Sequence, residues 1–223
     1  MRGKKHMTEI AADGSSNSKV PFLYSGMLSD VDIKRYWGKG IKIHTDYKEG
    51  EYAFDLGKQL SYGSIDLRLN WTYRKFTVDK QEVLTYDRQK GKGYTKIYDL
   101  QDDKKLIIQP GEIILANTLE IVELTEEFAG ILTGRSSFAR LGIMIHCCQE
   151  FINPGHGQTI PLQIINMAPC AVELDARIPI CQLVLFKLMT PASNMYKNGD
   201  ESKYAREKNH PMYSQAFKDK PED

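Results

Sequence analysis

The sequence lacks several features that mark specialised classes of protein. Its 223 residues contain no apolar run near the roughly 20 residues that a membrane-spanning helix needs. Residues 1–18 are polar where a secretory signal peptide has an apolar segment. Excess charge of one sign is also lacking, since 30 Lys and Arg accompany 29 Asp and Glu. We therefore expect a soluble, cytoplasmic protein with no membrane partner and no general attraction to nucleic acid.

Cysteine is scarce, and no CxxC pair is present. The four cysteines are Cys147, Cys148, Cys170 and Cys181. A chain of this length with so few cysteines does not predict a disulfide framework. We expect free thiols in a reducing compartment, with Cys147, Cys148 and Cys181 serving as small apolar core residues.

The sequence does contain many short segments with the pattern of a β-strand. Ile65, Leu67 and Leu69 alternate with polar residues, which is the period of a half-buried strand. The other candidates are Leu106–Ile108, Glu112–Ala116, Leu119–Glu123, Ile131–Leu132, Ile143–Cys147, Thr159–Asn166, Ala171–Leu174 and Gln182–Leu188. Turn sequences separate them, and strands do not alternate with helices. The pattern predicts an all-β sandwich or barrel.

Three further segments are predicted near the ends and in the middle of the chain. Ser29 followed by Asp32 forms a capping-box pattern, and Gly38 is expected to end the short helix that follows. Residues 1–20 are polar and are expected to form a flexible arm. Residues 71–105 carry nine Lys or Arg and six acids interleaved with tyrosines. Because the acids are mixed throughout, we interpret this segment as a solvated hairpin insertion and not as a nucleic-acid surface.

Chemically active residues are densest in the segment GRSSFARLG, residues 134–142. Ser136 or Ser137 can cap a one-turn helix that Gly142 ends. Backbone N–H groups, two hydroxyls and the guanidinium groups of Arg135 and Arg140 would then converge, as a phosphate site requires. The alternative is a plain capped turn whose arginines point to solvent. The spacing alone does not decide between the two interpretations.

The wider context of this segment resembles a known family. GRSSFARLGIMIH, followed by INPG and PLQIIN, is similar to the core motif of the dCTP deaminase branch of the trimeric dUTPase superfamily. The segments that resemble its opening helix, its first strand motif and its central strands are MLSDVDIKRYW, GSIDLRL and IQPGEIILANTLEIVELTEEFAGILTGRSS. Tyr196 and Lys203-Tyr204 resemble the tail motif. The resemblance covers residues 27 to about 207.

The resemblance implies a fold, an assembly and a set of site residues. It implies a distorted jelly-roll or β-barrel domain over residues 21–195, a homotrimer with sites between subunits, and a tail over 196–223 that closes over the nucleotide. Ser136 and Arg140 would lie beside the reacting end of the base. The substrate-binding positions would be Arg135, Ser136, Ser137, Gln149, Asn153, Tyr196, Lys203 and Tyr204.

The sequence departs from the family at two carboxylates. Gln163 stands where the deaminases have the glutamate that takes a proton from the attacking water, and an amide cannot accept that proton. Asn153 replaces an aspartate that contacts the sugar in deaminases and helps to position water in dUTPases. The shape that binds a nucleotide is kept, whereas the proton-accepting charge is lost.

Three functions stay open on this evidence, and we place deamination of dCTP to dUTP first. Glu150, His146 or His156 would then replace the missing base, and Glu150 is the only carboxylate within the motif segment. The second is a dUTP or dNTP diphosphatase that releases pyrophosphate, against which Asn153 counts. The third is a nucleotide-binding sensor or sequestering protein without catalysis, which Gln163 and Asn153 favour.

The sequence predicts no zinc site and no tightly bound cofactor. Zinc deaminases hold their metal with HxE and PCxxC motifs. Here His146 is followed by Cys147, and Pro169-Cys170 lacks the second cysteine of the motif. We expect protein groups alone to activate water, and we expect Mg²⁺ only as the companion of the nucleotide phosphates of dCTP or dUTP.

Overall fold

The structure is a computed structural model that describes residues 25–78, 83–84, 94–100, 105–146, 150–196 and 211. The predicted flexible arm lies outside the described residues, as does the tail from residue 197 onward apart from residue 211. The individual predicted positions that also lie outside them are Cys147, Cys148, Gln149, Lys203 and Tyr204.

Within the described ranges the chain forms short strands and three helices of one or two turns. The strands are β1 (Gly26–Met27), β2 (Ile41–His44), β3 (Ile65–Arg68), β4 (Thr72–Phe76), β5 (Thr95–Asp99), β6 (Leu106–Ile108), β7 (Ile113–Leu124), β8 (Phe128–Gly134), β9 (Ile143–Met144), β10 (Phe151–Ile152), β11 (Gly157–Asn166), β12 (Val172–Leu174) and β13 (Pro179–Lys187). The helices are α1 (Asp30–Tyr36), α2 (Leu56–Gln59) and α3 (Ser136–Ala139). The predicted all-β class with short helices is confirmed.

Two antiparallel sheets carry most of the strands. The five-stranded sheet has the order β1, β13, β8, β10, and β3 also pairs with β13. The six-stranded sheet has the order β5, β4, β7, β11, β9, and β2 also pairs with β7. A two-stranded ribbon of β12 and β6 completes the set. Because the sheet partners are far apart in the chain, the fold depends on contacts that no local segment encodes.

One hydrophobic core lies between the two sheets. Leu67, Leu132 and Leu183 come from the five-stranded sheet, and Leu162 and Ile164 come from the six-stranded sheet. All five are fully buried. Since neighbouring side chains in a strand point to opposite faces, the residues between these positions lie on the outer faces of the sheets.

Helix α1 begins and ends as its sequence predicts. The Ser29 hydroxyl accepts a hydrogen bond from the Asp32 backbone N–H at 3.3 Å, and the Ser29 N–H donates to the Asp32 carboxylate at 3.2 Å. The helix ends before Gly38, which has a φ of 70°. Glycine adopts this left-handed backbone conformation without steric strain, and the conformation ends the helix.

Strand β7 differs from the prediction of two strands in this region. Asn117 and Thr118 were expected to separate the strands, but both are fully buried within a single strand of 12 residues. The Asn117 amide donates to Thr159 at 3.0 Å, and the Thr118 hydroxyl accepts from the Ile160 backbone N–H at 2.9 Å. Partners on β11 therefore bind the Asn117 NH2 group and the Thr118 hydroxyl, whereas the Asn117 side-chain oxygen has no partner among the described residues.

The segment 71–105 is joined to the six-stranded sheet at its base. β4 pairs with β5 and also with β7, and Thr72 and Tyr73 are buried. The Tyr73 ring stacks on that of Tyr98 with ring centroids 5.4 Å apart. The two strands therefore contribute to the fold, and residues 79–82 and 85–93 between them lie outside the described residues.

A buried ion pair fixes the loop before β3 onto β7. The Arg68 guanidinium donates to Glu120 at 2.6 Å, and Glu120 is fully buried. The two terminal nitrogens of Arg68, Nη1 and Nη2, donate to the backbone carbonyls of Glu51, Tyr52 and Ala53. Gln59 also donates to Glu120, at 2.9 Å.

No helix in the described part of the chain is long and apolar enough to span a bilayer.

Candidate functional site

The GRSSFARLG segment forms the link between the two sheets. β8 of the five-stranded sheet ends at Gly134, α3 follows, and β9 of the six-stranded sheet begins at Ile143. Gly142 has a φ of 79°, and a Cβ at this position would lie 2.8 Å from the Ala168 backbone N. Only glycine meets both conditions, so the turn that ends the segment depends on Gly142.

The predicted cap of α3 is wrong. Ser136 was expected to cap the helix, or else Ser137, but Arg135 is the N-cap residue and no side chain accepts a hydrogen bond there. Ser136 and Ser137 are the first two helical residues, and both are exposed. Their hydroxyls are therefore not used to start the helix, and they remain available for other contacts.

Arg135 is held at the start of this segment by two partners. Its Nη1 donates to the Pro179 carbonyl oxygen at 2.9 Å. Its Nη2 lies 3.4 Å from Oδ2 of Asp66. A guanidinium has five N–H groups, so donors remain for a ligand after these contacts.

Arg140 lies one turn further along. Its Nη1 donates to the Ser136 hydroxyl at 3.5 Å, which is a long and weak hydrogen bond, and both residues are exposed. The segment therefore carries two guanidinium groups and two hydroxyls, and their convergence on one phosphate stays a prediction. This combination suits a ligand with several anionic oxygens.

Gln163 lies on β11, on the outer face of the six-stranded sheet. It stands between the buried Leu162 and Ile164, and it is half-buried itself. Among the described residues its side chain has no hydrogen-bond partner. The amide is therefore presented outward and is not part of the core.

Asn153 begins a turn that contacts the C-terminal segment. Asn153 is exposed, and the Tyr196 backbone N–H donates to the Pro154 carbonyl oxygen at 2.7 Å. The Tyr196 ring stacks on His156 with centroids 6.0 Å apart. Two predicted substrate-binding positions, Asn153 and Tyr196, are thus brought to one turn.

The two candidate histidine bases are removed from solvent. His156 is 7% exposed, and its Nε2 is 3.0 Å from the Gln158 carbonyl oxygen. Burial lowers the pKa of His156 to about 4, and burial lowers the pKa of His146 to about 4 as well. Neither ring nitrogen of His146 has a partner among the described residues. Both side chains are neutral at pH 7, and neither is open to a substrate water.

Glu150 is exposed at the start of β10. Its backbone carbonyl accepts a hydrogen bond from Leu132 at 2.8 Å, which fixes the backbone there to β8. Its carboxylate has no partner among the described residues. Of the three candidate bases, Glu150 alone is accessible.

Metal ligands do not cluster in the part of the chain that is described, since no group of three or more His, Cys, Asp or Glu side chains lies close enough to hold an ion. Cys181 is fully buried, as predicted for a small core residue, and its thiol is 3.8 Å from the Leu67 carbonyl oxygen. Burial raises the pKa of this thiol well above its usual value. Cys170 is exposed.

Asp66 and Gln182 are functional candidates that sequence reasoning missed. Asp66 was noted only as a polar position in a strand motif, and Gln182 only as the start of a strand. The Gln182 amide donates to Asp66, and Asp66 forms an ion pair with Arg135. These three residues are distant in the chain, so no local pattern reveals their contacts.

Arg135 and Gln163 are tied to different sheets. Asp66, the partner of Arg135, stands between the buried Ile65 and Leu67 and therefore points outward from the five-stranded sheet. Gln163 points outward from the six-stranded sheet.

Comparisons with known proteins give consistent results. Residues 27–188 match the family model described as dCTP deaminase-like. A protein of Dictyoglomus thermophilum named dCTP deaminase, dUMP-forming, is 32% identical over 183 residues, which cover 82% of this chain and 91% of that protein. A protein of the same name from Methanosphaera stadtmanae is 34% identical over 180 residues, covering 80% and 88%.

A solved structure shares the fold. The crystal structure of 2′-deoxycytidine 5′-triphosphate deaminase from Agrobacterium tumefaciens superposes with a TM-score of 0.54 at 17% identity. The match covers 74% of this chain and 47% of that chain. The resemblance predicted from the sequence motifs is confirmed.

Proposed function

The chain belongs to the dCTP deaminase-like family, and we propose that it binds dCTP and replaces the amino group at C4 of cytosine with oxygen from water. The observation that carries the proposal is the GRSSFARLG segment, with two guanidinium groups and two exposed serines, in a chain that matches the family over residues 27–188. The reaction consumes one water and releases ammonia.

In this proposal the segment binds the phosphates and the reacting end of the base. Arg135, Ser136 and Ser137 donate to the phosphate oxygens, because charge-assisted hydrogen bonds to phosphate are the strong ones. Ser136 and Arg140 lie beside the base. Asn153 and Tyr196 bind sugar and triphosphate from the turn that joins them, and Gln149, Lys203 and Tyr204 are proposed substrate contacts from the family pattern alone.

We propose dUMP as the end product. The sequence motifs led to an expectation of dUTP, whereas the curated relatives are named dUMP-forming. A dUMP-forming reaction consumes a second water, breaks the bond between the α- and β-phosphates, and releases pyrophosphate after the ammonia. Chromatography that resolves dUTP, dUMP and pyrophosphate distinguishes the two outcomes.

The attacking water needs a proton acceptor, and Gln163 cannot serve. General-base catalysis contributes roughly 10²- to 10⁴-fold to a rate, so we expect slow turnover. Glu150 is the proposed replacement, because it is an accessible carboxylate near the motif, whereas His156 and both ring nitrogens of His146 are buried. The amide of Gln163 then orients the water without taking its proton.

We propose that each site is built between two copies of the chain, in a homotrimer. The argument is that Arg135 is anchored to the five-stranded sheet by Asp66 and Pro179, whereas Gln163 lies on the outer face of the six-stranded sheet. In this proposal the nucleotide lies between the five-stranded sheet of one copy and the six-stranded sheet of another. Such an assembly would also cover exposed strand edges.

No resident metal is part of the proposal. Mg²⁺ would accompany the triphosphate and neutralise part of its charge, as it usually does in nucleotide sites. Removing free Mg²⁺ with a chelator is then expected to weaken binding of dCTP and to leave the protein folded.

A non-catalytic nucleotide binder is the second candidate. It is favoured by one observation, namely that Gln163 and Asn153 are amides at the two positions where the family pattern has carboxylates. Such a protein would bind dCTP with the same segment and release no ammonia.

Restoring the carboxylate tests the proposal. The substitution Gln163→Glu is expected to raise the rate of ammonia release from dCTP, by up to roughly 10²- to 10⁴-fold, because it adds a carboxylate at the position of the family's base beside the substitute Glu150. A matched control is Gln109→Glu, which adds the same charge at an exposed turn and should leave the rate unchanged. If Gln163→Glu binds dCTP as tightly as the original chain and still releases no ammonia, deamination is not the function of this chain.

A further inference from the structure

A row of polar side chains crosses the outer face of the five-stranded sheet and ends at Arg135. Asp66 of β3 lies directly opposite Gln182 of β13, and Gln182 lies directly opposite Thr133 of β8. Arg135 follows two residues after Thr133. The row brings three strands together at the base of the proposed phosphate site.

Asp66 is fixed before it meets Arg135. Its Oδ1 accepts a hydrogen bond from the Gln182 amide at 3.1 Å. Its backbone carbonyl accepts from Gln59 at 2.9 Å, and Gln59 also donates to the buried Glu120. The side chain is 17% exposed, so the second oxygen of the carboxylate has a defined direction.

That second oxygen forms an ion pair with the Arg135 guanidinium. Asp66 Oδ2 lies 3.4 Å from Nη2, while Nη1 donates to the Pro179 carbonyl oxygen at 2.9 Å. A planar group with a hydrogen bond at one terminal nitrogen and an ion pair at the other has fewer orientations available, which favours one direction for its remaining N–H groups. Without Asp66 the side chain would be tethered only by the Pro179 contact.

We propose that Asp66 is a positioning residue that orients Arg135 for the phosphates of the nucleotide. The proposal rests on the proposed function of the GRSSFARLG segment. Asp66 does not touch the nucleotide itself. It lowers the ordering cost of binding, because Arg135 does not lose its side-chain freedom when the phosphate arrives.

The charge of Asp66 could also act in the opposite direction, by repelling phosphate. Both of its oxygens face donors, one from Gln182 and one from the Arg135 cation, which compensate its charge locally. We therefore expect the orienting effect to exceed the repulsion. The two effects predict opposite changes in affinity, so one measurement separates them.

The experiment is a double-mutant cycle of Asp66→Asn and Arg135→Ala, with dCTP binding measured by calorimetry. An asparagine keeps the volume and can still accept from Gln182 through its one oxygen, so the charge and the acceptor that face Arg135 are lost together. We expect Asp66→Asn to weaken dCTP binding by roughly 3- to 30-fold when Arg135 is present and by less than about 2-fold in the Arg135→Ala background. Where turnover is measurable, KM should rise with kcat unchanged.

The matched control is Asp175→Asn, which removes the carboxylate of an exposed ion pair with Lys105 and should leave binding unchanged. Equal losses in both backgrounds, no loss, or tighter binding by Asp66→Asn would each overturn the proposal. If Asp66→Asn does not fold, Gln182→Met is the second variant, because it removes the hydrogen bond that supports Asp66. It should also weaken dCTP binding. Unchanged binding by Gln182→Met would overturn the proposal.

The failure of this inference differs from the failure of the proposed function. If the original chain does not bind dCTP at all, the proposed function is wrong and the positioning role falls with it. If the original chain binds dCTP and the cycle shows no coupling, only the role of Asp66 is wrong.

Discussion

At the scale of single residues, His156 connects the core to the C-terminal segment. It is 7% exposed, its Nε2 faces the Gln158 carbonyl, and Tyr196 stacks on its ring. Burial disfavours the charged imidazolium and lowers the pKa of His156 to about 4 from the usual 6.5. The fold therefore requires the neutral ring.

This requirement predicts a loss of stability in mild acid. Since the pKa of His156 is lower in the folded chain, the unfolded chain binds more protons between pH 6.5 and 4, and the free energy of unfolding falls as the pH drops through that range. At pH 5 the loss from this residue is about 2 kcal/mol relative to pH 7. His156→Gln keeps a donor and cannot titrate. In urea unfolding at one protein concentration, its free energy of unfolding should therefore fall by about 2 kcal/mol less than that of the original chain between pH 7 and pH 5.

The difference in pH dependence of stability between the original chain and His156→Gln should be confined to the acid range. Between pH 7 and pH 8 the two proteins should keep a constant difference in stability, because the ring is neutral in both states of the chain. Parallel stability curves from pH 7 down to pH 5 would contradict the account, since they would mean that His156 is protonated equally in the folded and unfolded chain.

At the scale of elements, the turn at Asn153-Pro154-Gly155 carries the C-terminal segment. Gly155 has a φ of 80°, and a Cβ there would lie 2.5 Å from Cβ of Met195 and 3.0 Å from the Tyr196 backbone N. The absence of a side chain lets the two segments touch. This contact holds Tyr196 against the turn that Asn153 begins.

Gly155→Ala is predicted to separate the segments. It combines the cost of a left-handed alanine, roughly 1–2 kcal/mol, with a clash against backbone. Gly111→Ala is a matched control, because Gly111 has a φ of 72° and nothing lies within 4 Å of its Cβ position. We expect Gly155→Ala to lower the free energy of unfolding by about 2 kcal/mol more than Gly111→Ala and to raise the KM for dCTP. Equal effects of the two substitutions in urea unfolding would mean that the contact with Met195 and Tyr196 is unimportant.

Elements with a local cause could be predicted from the sequence. The Ser29 and Asp32 pattern gave helix α1 because both partners of the capping box lie within one turn. Strand β3 could be predicted from the alternation at Ile65 and Leu67, because the period-two pattern lies within the strand itself. The GRSSFARLG segment was located because its residue types are unusual in combination.

Elements that depend on distant partners were missed or misjudged. β2 was missed although Ile41 and Ile43 alternate with polar residues, and β10 has only two residues and cannot show a period; each is held by another strand, β7 and β8 respectively. β7 was divided because the partners of Asn117 and Thr118 lie on β11. The cap of α3 was wrong because the N-cap residue, Arg135, is fixed by Pro179 and Asp66 from other strands and not by a local hydroxyl.

At the scale of the whole molecule, the two outer faces hold complementary halves of the proposed site. Arg135 follows the end of β8 and is anchored to the five-stranded sheet by Asp66 and the Pro179 carbonyl, whereas Gln163 lies on β11 of the six-stranded sheet. We propose that one nucleotide contacts Arg135 of one copy and Gln163 of another.

A mixing experiment tests this arrangement. A chain with both Gln163→Glu and Arg135→Ala should be nearly inactive by itself, because every phosphate site lacks its arginine. When it is co-refolded with the original chain, some sites combine the new carboxylate of one copy with Arg135 of another. We expect ammonia release above that of either protein alone. Activity equal to the sum of the separate proteins, in a mixture shown by light scattering to contain mixed oligomers, would mean that each site lies within one chain.

The most direct test of the central claim is the reaction of the unmodified chain with dCTP. Purified protein is incubated with dCTP and Mg²⁺, and ammonia, dUTP, dUMP and pyrophosphate are followed together over time. The account predicts slow release of ammonia with equal amounts of a deoxyuridine nucleotide, and dUMP with pyrophosphate as the end products. Folded protein that leaves dCTP unchanged at long incubation would contradict it.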